Sequence, residues 1–219
     1  MVSMYIEESS HHPTAHRTIG SLVGRWFLSS YPPLKNGYCT LGCGANYEEG
    51  YCNADFFPFN TLRRLLGRVP KPLDWYVDLR HPLKCRDEFF KGIFCEHTFE
   101  HLDVWDGKKL LKELHRIIEP GGTLRITVPS LEKYVSYYVG NGAHRNFKQW
   151  KVRSEAIWSL THNWGHQAVY DAELLGKLLT DAGFVDVREC VFREGRDEML
   201  LLDDKARDWE TLYMEGTKP

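Results

Sequence analysis

Leu41-Gly42-Cys43-Gly44 is followed downstream by Glu96-His97-Thr98-Phe99-Glu100-His101-Leu102 and then by Glu119-Pro120-Gly121-Gly122. A glycine turn after one strand, an acidic and histidine-rich loop after a later strand, and a Pro-Gly-Gly break before another form one ordered set. In this order and spacing they describe a crevice for a nucleotide-type cofactor at the carboxyl ends of parallel strands.

Working outward, residues 38–42 and 51–56 read as short strands on either side of the glycine turn. Residues 75–79, 92–95 and 123–128 read as three more, and residues 184–192 and 211–216 as the last two. Leu110, Leu111, Leu114, Ile117 and Ile118 make one apolar helical stripe, which the Pro-Gly-Gly break ends. A second stripe runs from an Asp171 cap through Leu174, Leu175, Leu178 and Leu179 to Gly183. Ile19, Leu22, Val23, Trp26 and Phe27 mark an amphipathic helix stopped near Tyr31-Pro32-Pro33. Asn60 caps a basic helix holding Leu62, Leu65 and Leu66. Strands alternating with helices predict an α/β fold, a doubly wound and mainly parallel seven-stranded sheet covered on both faces. The last two strands are expected to close one edge as an antiparallel hairpin. Residues 1–36 read as an N-terminal extension with one amphipathic helix, and residues 37–219 as the domain.

The 219 residues accommodate one α/β core. A net charge of -2 gives no bulk electrostatic reason for a nucleic-acid partner. No apolar run is long enough to span a bilayer, and residues 1–13 lack a basic segment followed by an apolar one. A cytoplasmic protein without a membrane or nucleic-acid partner is the expectation. Six cysteines, at 39, 43, 52, 85, 95 and 190, form no CxxC pair and read as reduced thiols in apolar runs. Cys39-x-x-x-Cys43 would open an iron-sulfur motif, but the next position it requires is Asn46.

A Gly-x-Gly turn lets a cofactor approach the backbone closely. Tyr47 stands where GxGxxG needs its third glycine, which disfavours a nicotinamide dehydrogenase. Asp55 ends the second strand, where a carboxylate can accept from both ribose hydroxyls. Only ten residues separate it from Gly44, too few for a full helical crossover.

On these residues the chain resembles the class I, Rossmann-like S-adenosylmethionine-dependent methyltransferases. It is most similar to a compact bacterial subgroup, often associated with glycan biosynthesis, that has a shortened first crossover. The likeness runs from Leu41 to Asp55, through Asp78-Leu-Arg-His-Pro-Leu83, Glu96 to Leu102 and Leu114 to Gly122, to Gly165–Asp171 and Leu212–Glu215. The resemblance implies S-adenosylmethionine as cofactor, with Gly42, Cys43 and Gly44 along its methionine end and Asp55 at its ribose. It places Asp78 and Leu79 about the adenine, and Glu96 and His97 beneath the sulfonium.

His97-x-x-Glu100-His101 also fits H-x-x-E-H, which on a helix would make a zinc hydrolase the alternative. Residues 93–95 instead read as a strand delivering this segment to a loop, and no metal ligand is assigned. His162-Asn163-Trp164-Gly165-His166 is a second histidine cluster. A neutral histidine accepts a hydroxyl proton near neutral pH, so His166 is the first candidate for a catalytic base and His101 the second. Residues 144–158 mix basic and aromatic side chains, as an ordinary amphipathic helix or as a lid over an anionic or sugar substrate. The expected reaction is O-methylation of a sugar or other small-metabolite hydroxyl. Oligomeric state is not legible.

Overall fold

The computed structural model describes residues 30–56, 73–142 and 144–219. The helices expected about residues 19–27 and after Asn60 lie outside the described residues. Seven strands form one sheet: β1 (Tyr38–Leu41), β2 (Cys52–Asp55), β3 (Trp75–Tyr76), β4 (Phe90–Glu96), β5 (Ile118–Pro129), β6 (Val185–Cys190) and β7 (Thr211–Thr217). Their order is β3-β2-β1-β4-β5-β7-β6, all parallel except β7. The predicted mainly parallel α/β sheet is therefore present. The final antiparallel pair does close one edge, with β7 inserted between β5 and β6. Strand β3 is shorter than its apolar run, because Asp78 leaves the ladder to bind Arg80.

Helix α1 (Val104–Ile117) starts where the Asp103 carboxylate accepts from the Trp105 and Asp106 amides. Its stripe, Leu110, Leu111, Leu114 and Ile117, is buried. The helix stops at Ile117, and Pro120-Gly121-Gly122 falls in the first part of β5, where Gly121 supplies a φ of +79°. Helix α2 (Leu131–Val139) is capped by Ser130 and ended by Gly140 in the left-handed conformation. The segment expected as one helix about residues 144–158 divides into a 3₁₀ turn (Arg145–Gln149) and helix α3 (Arg153–His162). Helix α4 (Ala172–Asp181) takes its cap from Asp171; it buries Leu175, Leu178 and Leu179, while Leu174 faces outward.

Helix α1 packs on β5, α4 packs on β6 and β7, and the two helices touch, so they share one face of the sheet. Leu124, Ile126 and Val128 of β5 join the core there. On such a strand the alternate residues point to the other face, and these are Arg125 and Thr127. Tyr134, Phe147, Ala156 and Leu160 form a separate small cluster where α2 meets α3. No helix among the described residues is long and apolar enough to cross a membrane.

Candidate active site

Among the described residues two clefts open beyond the carboxyl end of β4, and consecutive residues divide them. The first, about 530 Å³, has Gly42, Cys43, Tyr47, Glu96, Arg193 and Asp204 among its walls. The second, about 350 Å³, has His97, Glu100, His101, Tyr134, His166 and Arg207. Glu96 ends β4, and His97 follows it with a φ of +43°. That left-handed backbone costs a non-glycine residue energy, and here it sits where the two clefts part.

The glycine turn forms the floor of the first cleft. The Gly42 and Cys43 amides both donate to the Ala54 carbonyl, at 2.8 and 3.1 Å. Gly42 has a φ of +71°, and a Cβ there would overlap the Thr98 hydroxyl. That hydroxyl bonds back to the carbonyls of Gly42 and Glu96. Among the described residues a Cβ at Gly44 would meet nothing within 4 Å, so the turn presents bare backbone to them. Asp55 accepts from the Gly44 amide at 2.8 Å and the Phe56 amide at 2.6 Å. Burial nevertheless raises its carboxyl above the ordinary range. Burial also pushes the Cys43 thiol up to about 12, so it lines the cleft as a neutral SH.

The opposite wall is the loop that carries Arg193 and Asp203 to Lys205, and it is fastened to the sheet from within. Arg125 has no exposed surface and uses all five of its N–H groups. Two bond Asp203 at 2.9 and 2.6 Å, one bonds Glu215 at 2.9 Å, and two reach the carbonyls of Glu194 and Val191. Glu215 lies directly across from Arg125 in the β5–β7 register. Asp204 then donates its amide to Glu96 at 2.8 Å. Burial raises the Glu96 carboxyl as well.

Asp78 and Leu79 follow β3 and line neither cleft. Asp78 is buried, with both oxygens accepting from the Arg80 guanidinium at 2.8 Å. His97 also departs from its expected place. Its Nε2 meets Thr211 Oγ1 at 2.8 Å and its Nδ1 lies 3.4 Å from Glu100 Oε1, so its side chain belongs to the second cleft rather than beside Glu96.

Glu100 and His101 sit on a 3₁₀ turn (Phe99–His101). The Glu100 carbonyl accepts from the Gln167 and Ala168 amides at 2.8 and 3.2 Å. That pairing brings the His166 loop onto the turn, and the His101 and His166 rings meet edge to face at 5.1 Å. His166 Nδ1 bonds the Leu160 carbonyl at 2.7 Å. The two sequence-selected histidines are thus neighbours in one cleft. The H-x-x-E-H hydrolase reading is not upheld: His97 precedes the turn in a left-handed conformation, so His97 and His101 do not share a helical face.

Thr98, Arg125, Asp203 and Asp204 take part in these walls without having been singled out from the sequence. A charged residue in the middle of the apolar β5 run was the one available signal, and it pointed to Arg125.

A family model described as a methyltransferase domain matches residues 37–189. No curated protein sequence matches the chain. Among solved structures, an S-adenosylmethionine-dependent methyltransferase of Thermotoga maritima is 16% identical, with a TM-score of 0.53 over 92% of this chain and 89% of that one. An S-adenosylmethionine-dependent methyltransferase of Archaeoglobus fulgidus is 14% identical, with a TM-score of 0.50 over 93% and 95%. A chain from the complex between the Haloferax volcanii Trm112 methyltransferase activator and its methyltransferase is 17% identical, with a TM-score of 0.50 over 86% and 85%. With the glycine turn, the strand order and the matched domain together, the chain belongs to the methyltransferase domain family and is an S-adenosylmethionine-dependent methyltransferase of Rossmann-like fold.

Proposed function

We propose that this enzyme methylates a hydroxyl of a sugar or another small metabolite, as in the glycan-associated subgroup its sequence resembles. The observation that carries the reading is the second cleft. It joins His101 and His166 to the aromatic Tyr134 and Trp164 and the charged Arg207 and Glu210, one residue away from the cofactor cleft. Aromatic faces and charged hydrogen-bonding groups suit a polyhydroxylated ring.

The first cleft fits S-adenosylmethionine on its own chemistry. Its acceptors, Glu48, Glu96, Asp203 and Asp204, suit a group bearing an ammonium, a sulfonium and two ribose hydroxyls. The bare backbone at Gly44 leaves room for close approach. Bound there, the cofactor supplies an already activated methyl group, so the protein's main task is to position the acceptor. We assign Gly42, Cys43 and Gly44 to the methionine end, Asp55 to the ribose and Glu96 to the region of the sulfonium. Asp78 and Leu79 keep the adenine end, with Asp78 acting while it holds Arg80. His166 and His101 activate the acceptor hydroxyl.

The test is transfer of labelled methyl from S-adenosylmethionine to a panel of sugars, phenols and amines, beside calorimetry with S-adenosylhomocysteine. Labelled sugar or small-alcohol ethers are expected, with turnover lost in His166→Ala and cofactor affinity lowered in Asp55→Ala. Labelling of amines alone would overturn the hydroxyl reading. Unchanged affinity in Asp55→Ala would remove that residue from the ribose.

A further inference from the structure

We propose that Glu100, His101 and His166 hold a divalent first-row transition metal that activates the acceptor hydroxyl. The inference rests on the methyltransferase reading and deepens it, replacing direct proton removal by His166 with metal ligation.

The argument begins with unmatched lone pairs. Glu100 is 1% exposed, and neither carboxylate oxygen has a hydrogen-bond partner among the described residues. A buried carboxylate in that condition is costly unless a cation meets it. Two ring nitrogens face it, and each ring is held by a hydrogen bond on its far side. A carbonyl can only accept, so His166 Nδ1 carries the proton it gives to Leu160, which leaves Nε2 as the ring nitrogen available to a cation. That Nε2 lies 3.9 Å from Glu100 Oε1. The Thr211 hydroxyl gives its one proton to the Arg207 carbonyl at 2.7 Å, so it accepts from His97 Nε2. His97 Nδ1 lies 3.4 Å from Glu100 Oε1. Two imidazole rings thus border one oxygen of a buried carboxylate.

A cation would supply the partner that the Glu100 carboxylate lacks among the described residues. One ligand atom each from Glu100, His101 and His166 lies within 4.8 Å of the others, close enough to converge on one ion. The Leu160 carbonyl on the far nitrogen of His166 is the kind of outer partner that fixes a ligating imidazole. His97, held by Thr211, is a positioning residue for Glu100. Two imidazoles and one carboxylate suit Mn²⁺, Fe²⁺, Co²⁺ or Zn²⁺ better than Mg²⁺, which prefers oxygen alone. Three protein ligands leave positions free toward the cleft for the acceptor oxygen. There the cation lowers the hydroxyl pKa. The O–H proton passes to solvent, an oxygen lone pair forms the bond to the methyl carbon, and the electron pair of the broken S–CH₃ bond stays on the sulfur of the departing thioether.

The full-length protein, stripped with a chelator, should be titrated with Co²⁺ by visible absorption and with Mn²⁺ by calorimetry, each beside S-adenosylhomocysteine. One equivalent of metal per chain is expected, with binding at least about 10-fold weaker in Glu100→Gln and in His166→Ala, and about 10–100-fold weaker in Thr211→Val through His97. S-adenosylhomocysteine affinity should stay at the wild-type value in Glu100→Gln, which shows that the variant is folded. Neither metal binding to the wild-type chain, or equal binding in Glu100→Gln and His166→Ala, would overturn the site. Absent S-adenosylhomocysteine binding with metal binding intact would count against the cofactor reading and leave the metal site supported.

Discussion

Replacing Arg125 with methionine tests what holds the wall of the first cleft. Methionine keeps most of the apolar stem, so the perturbation is the loss of five N–H donors and one positive charge. Glu215 would still accept from the Arg196 amide at 3.0 Å and from Arg188 at 3.1 Å. Among the described residues Asp203 would keep only the Arg193 amide, at 2.7 Å, against a carboxylate with no exposed surface. The cost therefore falls mainly on Asp203. Removing one partner of a buried ion pair costs about 3–5 kcal/mol. Against a total stability of roughly 5–15 kcal/mol, that is a large fraction. For a chain of this size it corresponds to a fall in Tm of about 6–20 °C. Urea unfolding at neutral pH followed by far-UV circular dichroism measures it. Adding Asp203→Leu to the Arg125→Met chain should recover part of the loss, because the stranded charge goes with it. A loss below about 1 kcal/mol, or no recovery in the double variant, would refute the idea that this wall is fixed electrostatically from inside the sheet.

Gly42→Ala should cost about 2–4 kcal/mol, combining a left-handed alanine with displacement of the Thr98 hydroxyl from its two carbonyls. Equilibrium unfolding checks it, and a change under about 1 kcal/mol would contradict the close packing described. Acid stability has a predicted source in Glu113, whose carboxyl is held low by the Arg116 guanidinium that bonds it. Its stabilisation is complete above the ordinary glutamate range and fades as pH falls through the lowered value, so Glu113→Gln should flatten the acid limb between about pH 5 and pH 3. Asp55 and Glu96 are raised by burial and act with the opposite sign, favouring the fold at low pH and losing that contribution as pH rises through their raised values.

The parts of this fold legible in the sequence are those set by local periodicity and local turn chemistry. Leu110, Leu111, Leu114 and Ile117 recur at helical spacing because one face of α1 is buried, and Asp171 announces a helix start. Gly42 and Gly44 were legible because their backbone conformation demands glycine. What escaped depends on distant partners. The position of β7 is set by pairing with both β5 and β6, which no local pattern encodes. Leu174 shares the composition of its helix but not its buried face. Arg125 acquires its meaning from Asp203 and Glu215, and His97 faces Glu100 because of a backbone angle. His101 and His166 were each selected separately. Their adjacency depends on the Glu100 carbonyl accepting from Gln167 and Ala168, a contact between segments far apart in the chain.

The placement of β7 also sets an order of events at synthesis. Strands β5 and β6 leave the ribosome before the segment that lies between them. Until residues 211–217 arrive, the outer edge of β5 exposes a long ladder of unpaired amides and carbonyls, since Thr123 to Pro129 all wait for partners between Thr211 and Thr217. An open, apolar edge of that length invites pairing with other chains. Its closure needs contacts of high sequence separation, which form slowly. The nascent chain therefore carries this open edge until its last strand arrives to cover it.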